Sequence, residues 1–350
     1  MKKEEKANKT DKKPRARPQP GDKVLWIRFS AFGDVLQAAA SAQCFKRKYP
    51  QTRLTFLTQP EYAGILAAQP YIDECLFWDV KKRPQDFLSV VNRIRAANFD
   101  WLFSVHRSGS AALVALFSGI YKRFGYNSRL QFCYRATHWE LFDSVGLDVM
   151  SRDDAAIFTA PEDMEKAAAM LSPLPEKKIF AVIGASKPQK FWPVQHWIVF
   201  LREALARGWG IVLNGHGDFE AGVAKEIETG LRADASLFSL PLLDSPLLGL
   251  PMLNLVGQLD FPTMAAVAQA STVAVGNDSG PLHLAALLGV PTLGFFGVTN
   301  AYGAGYRMPW FREVRVTCPK EGCWDYRCPV ECLADISPEK ALSAFWGFTN

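Results

Sequence analysis

The sequence predicts an α/β protein made of two parallel-sheet domains. Two observations carry this. Short apolar runs such as Lys23 to Phe29 and Ile179 to Ile183 alternate with helical stretches along most of the chain. At several places such a run ends in a polar elbow rich in Gly, Ser or Asp, from which a helix starts; this is how βα units place ligand-binding groups at the carboxyl edge of a sheet. The pattern lapses between Val149 and Lys178 and then restarts. The expected division is a basic tail at 1–21, a first domain at 22–160, a second at 161–335 and a closing helix at 336–350.

Charge separates tail from fold. Of 40 Lys/Arg and 35 Asp/Glu, residues 1–20 hold eight and three, so the remainder carries 32 of each sign. A neutral fold argues against nucleic acid, which requires a concentrated basic face. The tail lacks an apolar core and does not resemble a secretory signal; its composition predicts disorder. It can lie on an anionic membrane or remain solvated. No apolar run approaches the ~18 residues of a membrane helix. Seven cysteines without a signal peptide point to a reducing compartment.

The first strand, Lys23 to Phe29, runs into Ser30-Ala31-Phe32-Gly33-Asp34 and a helix from Val35 to Lys48. Gly33 permits a sharp turn and Asp34 sits where the helix begins, either as a cap or as a reactive carboxylate at the sheet edge. Strands are expected at Leu54 to Leu57, Leu76 to Trp78 and Trp101 to Val105, with helices near Tyr62 to Ala68 and Pro84 to Ala97. Between Arg107 and Arg135 stand Arg107, Lys122, Arg123, Arg129 and Arg135 with no acidic residue. Such a stretch suits anionic groups of an acceptor, or is simply solvated.

In the second half, a helix is expected from Pro161 to Leu171 and a strand from Ile179 to Ile183, whose elbow is Gly184-Ala185-Ser186. Beyond it lies KPQKFWPVQHW, with Lys190 placed to face an anion. Ile211 to Leu213 ends in Asn214-Gly215-His216-Gly217-Asp218, where Asp218 or Glu220 suits ribose hydroxyls. Leu255-Val256-Gly257 reads as a short strand beside a base, and Phe261 to Ala270 as a helix. The strongest element follows: a strand from Val273, the elbow Gly276-Asn277-Asp278-Ser279-Gly280, a helix to Leu288 carrying His283, and a strand from Pro291 to Phe296. Ser279 is placed to cap that helix, whose free N–H groups and dipole favour a phosphate. Near the end, Cys318, Cys323, Cys328 and Cys332 are compatible with a structural zinc or iron, with free thiols, or with disulfides. Lying after the last recognisable strand, the cluster is expected to be structural and away from both elbows. A helix from Ala341 to Phe348 closes the chain.

Three of these motifs together resemble the heptosyltransferase family of bacterial lipopolysaccharide synthesis. They are Gly33-Asp34 at the first elbow; Ser186, Lys190, Trp192 and Pro193 after the second-domain strand; and Asp278-Ser279-Gly280 with His283 three residues on. The resemblance spans Lys23 to Ile336 and implies the GT-B architecture, two Rossmann-like domains facing across a cleft. It implies inverting transfer of heptose from ADP-heptose to an inner-core sugar of lipid A-linked oligosaccharide, at the cytoplasmic face of the inner membrane. No catalytic metal or other cofactor is implied, in keeping with the lack of an Asp-x-Asp motif at either elbow.

By the same resemblance Asp34 is the general base. Lys190, Ser186 and the backbone of Ser279 and Gly280 hold the departing ADP; Asp278 holds sugar hydroxyls, and His283 touches the diphosphate or braces the elbow. Asp218 and Gly257 fall on the nucleotide side, and Gly33, Arg107, Arg123 and Arg129 on the acceptor side. Ala185 stands where the family often has a second hydroxyl, so one phosphate contact is missing. Two rival readings are a heptosyltransferase acting on protein hydroxyls and a silent nucleotide-sugar-binding subunit. The presence of both Asp34 and Lys190 speaks against the second.

Overall fold

The computed structural model describes residues 17–125, 156–235, 250–299, 308–320 and 322–349. The first sheet contains β1 (Lys23–Ile27), β2 (Arg53–Thr58), β3 (Glu74–Phe77), β4 (Trp101–Ser104) and β5 (Lys122–Gly125), all parallel, in the order β3-β2-β1-β4-β5. Between them run α1 (Phe32–Lys48), α2 (Ala63–Ala67), α3 (Phe87–Ala97) and α4 (Gly109–Phe117). The second sheet contains β6 (Lys178–Val182), β7 (Gly210–Asn214), β8 (Met252–Asn254), β9 (Val273–Asn277), β10 (Thr292–Phe296) and β11 (Phe311–Arg315). These are also parallel, in the order β11-β10-β9-β6-β7-β8. Their helices are α5 (Pro161–Leu171), α6 (Val194–Ala206), α7 (Asp218–Ala235), α8 (Phe261–Gln269), α9 (Gly280–Leu287) and α10 (Pro338–Thr349).

Burial explains why the central strands read so clearly. In β1 four of five residues are buried, and in β6, β9 and β10 nearly all are, because helices cover both faces of a parallel sheet. In each sheet the strand order reverses at one point, between β1 and β4 in the first and between β9 and β6 in the second. Crossover connections diverge there and leave a crevice at the carboxyl edge. The elbows at Asp34, Ser186 and Asp278 lie on strands that flank these two crevices.

The two halves are bound face to face. A Cβ on Gly33 would lie 3.1 Å from Gly280 Cα and 3.3 Å from His283 Cδ2, and one on Gly280 would lie 2.7 Å from Phe32 Cδ1. The ends of α1 and α9 therefore meet where both residues are glycine. Beside them Phe32 stacks on Phe261, with ring centroids 4.1 Å apart and planes 14° apart, and Tyr62 lies next to both. One continuous core runs from Trp26 and Phe45 through this contact to Met264 and Leu282.

The structure moves some expected elements. Leu255 to Gly257 is a turn and not a strand; the strand is Met252–Asn254, and Gly257 has a φ of +72°. The helix α1 begins at Phe32, so its N-cap is Ala31 and Asp34 is the third helical residue.

Candidate active site

The facing edges enclose a cavity of about 930 Å³. On the first-domain side it is lined by Phe32, Gly33, Asp34 and Glu61. On the second-domain side it is lined by Ser186, Lys190, Glu220, Asp278, Ser279, Gly280 and His283. Two elbows far apart in sequence thus share one space.

Asp34 projects from the first turn of α1 with its side chain about half exposed. Its Oδ2 accepts from the Ala31 N–H at 3.2 Å and contacts the Arg28 guanidinium. Arg28 is itself fixed, donating through Nη1 to the Val105 carbonyl at 2.6 Å. Both contacts fall on one oxygen, so the carboxylate is held in one orientation at the cavity wall. His106, beyond the end of β4, lies in the same corner; burial and then Arg28 push its imidazole down to about 4, so it is neutral at physiological pH.

Across the cavity Asp278 is buried and fully engaged. Its Oδ1 pairs with His283 Nε2 at 3.0 Å, and its Oδ2 receives Lys190 Nζ at 2.6 Å and the Thr299 hydroxyl at 2.5 Å. Lys190 Nζ also donates to the Asp278 carbonyl at 3.1 Å. Burial raises this carboxyl, but His283 and Lys190 outweigh it and hold it below the usual carboxylate range. An ammonium has three donors, and two are spent on Asp278, so its direction is fixed. Below this pair Asn277 ties the elbows together, donating to Ile183 O at 2.7 Å and accepting from the Trp192 N–H at 3.1 Å. Ser279 occupies the N-cap position of α9, yet its hydroxyl makes no capping bond and has no partner among the described residues. Ser279, Gly280 and Pro281 of this first turn line the cavity.

Of the two carboxylates expected at the β7 edge, Glu220 lines the cavity and Asp218 does not. Glu220 Oε1 accepts from the Ala185 N–H at 3.1 Å and its Oε2 from the His216 N–H at 2.6 Å. A Cβ on Gly184 or Gly215 would fall within 2.0 or 2.6 Å of Glu220 Oε2, so both glycines are needed for this carboxylate to lie over the strand ends. Burial raises its carboxyl despite the two donors. Asp218 instead starts α7; both it and Gly257, whose N–H bonds Gly215 O at 3.0 Å, lie outside the cavity lining.

The cationic residues assigned to the acceptor side do not gather at the cavity. Arg107 is exposed at the end of β4, and Arg123 spends its guanidinium on the Ala115 carbonyl, 3.1 Å away, near the end of α4. Arg129 lies outside the described residues. The cysteine cluster shows one of its expected forms, free thiols, but not its expected place. None of Cys318, Cys323, Cys328 and Cys332 is in a disulfide, and only Cys332 is buried. Burial and then the three neighbouring thiols push its thiol up. With Cys318 and Cys323 turned to solvent, no group of three potential metal ligands converges among the described residues. Nor is the cluster remote: Trp324, next to Cys323, lines the cavity.

Thr299, Arg28 and Trp324 were not identifiable from sequence. Thr299 lies 21 residues from its partner Asp278, and Arg28 and Trp324 stand outside any motif.

Comparisons with known proteins bear on the family and the fold. The model of glycosyltransferase family 9 (heptosyltransferase) matches residues 137–333. A lipopolysaccharide heptosyltransferase 1 of Campylobacter coli is 20% identical over 321 residues, which is 81% of this chain and 86% of that protein. Among solved structures, a glycosyl transferase family 9 protein from Veillonella parvula DSM 2008 aligns with a TM-score of 0.81 at 17% identity, covering 96% of this chain and 99% of the other. An E. coli ADP-heptose lps heptosyltransferase II aligns at 0.71 and 19%, covering 93% and 98%. The two facing parallel-sheet domains are the GT-B fold of these neighbours. The chain belongs to glycosyltransferase family 9, the heptosyltransferases.

Proposed function

We propose that this enzyme transfers heptose from ADP-heptose to an inner-core sugar of lipopolysaccharide by a single inverting displacement. The observation that carries this reading is the single cavity bounded by Asp34 on one domain and by Lys190, Asp278 and the α9 N-terminus on the other. Ribose hydroxyls suit Glu220, a carboxylate with unused acceptor capacity at the β7 edge. The diphosphate suits the Ser279 hydroxyl, the N–H groups of α9 and the remaining donor of Lys190. An acceptor hydroxyl oxygen then attacks the anomeric carbon from the first-domain side. Its proton passes to Asp34, the bond from the anomeric carbon to the phosphate oxygen breaks, and ADP departs with its charge met by Lys190 and the helix. Every group this needs is protein or substrate, so the step is proposed without metal or cofactor.

This reading gives Asp278 a different task from the one sequence suggested. With both oxygens engaged and the side chain 4% exposed, it positions Lys190 in preference to accepting sugar hydroxyls.

A lipid-linked acceptor also calls for a membrane-facing surface, which we place on α4. Leu113, Leu116 and Phe117 stand exposed along one side of this uncharged helix, with exposed Tyr121 just beyond and Leu88 on neighbouring α3. Arg95 donates to the Phe117 carbonyl at 2.8 Å and Arg123 to Ala115, so positive charge rims the apolar face. Apolar side chains ringed by arginine match an anionic bilayer.

Asp34→Asn tests the chemistry. Turnover should fall by roughly 10²-fold or more while ADP-heptose affinity, measured by calorimetry, stays near wild type. Near-normal turnover would leave Asp34 as a first-turn helix carboxylate.

A further inference from the structure

The loop that carries Cys323 and Cys328 closes one end of the donor cavity. Its backbone continues alongside the exit of β10, where the Gly322 N–H donates to Gly297 O and the Trp324 N–H to Val298 O, both at 2.8 Å. From the other side Gln189, next to Lys190, donates through its amide to Tyr326 O at 2.9 Å and to Cys328 O at 3.2 Å. Lys187 Nζ lies 5.8 Å from the Tyr326 ring centroid. The Tyr326 phenol is pushed up by burial and then by the Asp278 carboxylate. The loop therefore bridges the β10 and β6 exits across the Asp278 elbow that lies between them.

At its tip Trp324 adopts a φ of +58°. A bulky side chain seldom takes this left-handed conformation, and it persists only where surrounding contacts impose it. Here hydrogen bonds on both flanks do so. The result is an indole that lines the cavity with 52% of its surface exposed.

The order of strands says what this indole meets. Along the carboxyl edge run Trp324 at β10, Asp278 with Ser279 at β9, Ser186 with Lys190 at β6, and Glu220 over the end of β7. Three strand spacings cover roughly 14 Å, comparable to a ribose, a diphosphate and a pyranose in line. With ribose at Glu220 and the diphosphate in the middle, the transferred sugar reaches the β10 end.

We propose that Trp324 is a specificity-determining residue whose ring packs on the apolar face of the transferred sugar and distinguishes the sugar nucleotide from the free nucleoside diphosphate. Amphipathic aromatic surfaces suit this task, offering a flat apolar face beside polar anchors. The inference rests on the donor reading given above.

Calorimetric titration of ADP and of ADP-heptose into wild type, Trp324→Phe and Trp324→Gly tests it. Glycine takes the left-handed conformation freely, so that variant keeps the loop without the ring. Trp324→Gly should bind ADP within about twofold of wild type and ADP-heptose about tenfold more weakly, with Trp324→Phe between wild type and Gly. Equal loss for both ligands, or no loss for either, would overturn the assignment of Trp324 alone. Wild-type protein that bound neither ligand would sink the donor reading and this inference with it.

Discussion

Asp278 illustrates both what a motif reveals and what it hides. Its place at a sheet-edge elbow, next to Ser279 and five residues before His283, was legible because short-range spacing fixes it. Its environment was not, since burial and the partners Lys190 and Thr299 depend on segments 88 and 21 residues away. The geometry makes Asp278 and Lys190 one unit, so their substitutions should not add. Lys190→Ala should weaken ADP about tenfold or more, Asp278→Asn should weaken it nearly as much, and the double variant should be little worse than Lys190→Ala. Calorimetry with ADP on the four proteins checks this. If Asp278→Asn spared ADP and weakened only ADP-heptose, the carboxylate would belong to the sugar after all. Linkage adds an acid-side expectation: because the folded carboxyl is held low, its stabilising contribution is present above the ordinary carboxylate range and is lost as pH falls through the lowered value.

Among strands and helices, legibility followed burial and amphipathicity. The helix Pro161–Leu171 begins and ends where its proline and its apolar spacing place it, and β6 and β10 sit within one residue of their apolar runs. By contrast α4, GSAALVALF, has no polar face, so no 3.6-residue period betrays it. β5 and β11, KRFG and FREVR, are edge strands with charged residues, and the apolar signature of a central strand is missing from both. Tight strand contact also explains a residue that looks unremarkable in sequence, Gly276 at the β9 elbow. A Cβ there would lie 2.2 Å from the Val182 carbonyl oxygen of β6, and backbone inside a sheet cannot yield as a side chain can. Gly276→Ala should therefore destabilise the protein by about 3 kcal/mol or more, seen as a large fall in Tm. An unchanged Tm would mean that β6 and β9 can separate without cost, against the packing described here.

The arrangement of the two domains was the part least available to sequence, because it depends on contacts between residues about 250 positions apart. Gly33 and Gly280 each mark a turn in their own elbow, but their mutual approach appears only in three dimensions. That approach sets the distance from Asp34 to the Lys190 and Asp278 cluster, and it leaves the outer face of the first domain free for another task. There α4 presents Leu113, Leu116 and Phe117, and between Phe87 and Gly125 Asp100 is the sole acidic residue, occupied with the Lys23 N–H at 2.8 Å. No described helix is long and apolar enough to cross a membrane. Each buried CH2 adds about 0.8 kcal/mol and each nearby cation about 1 kcal/mol at an anionic surface, enough for reversible docking when several act together. Sedimentation with vesicles containing phosphatidylglycerol should pull down the wild-type protein, and salt should weaken the binding. Leu116→Glu with Phe117→Glu should abolish it while leaving Tm within a few degrees, because both side chains are already exposed. Turnover on a soluble, delipidated acceptor should be unaffected by the pair, since neither residue lines the cavity. Undiminished vesicle binding by the double variant would remove α4 as the docking face.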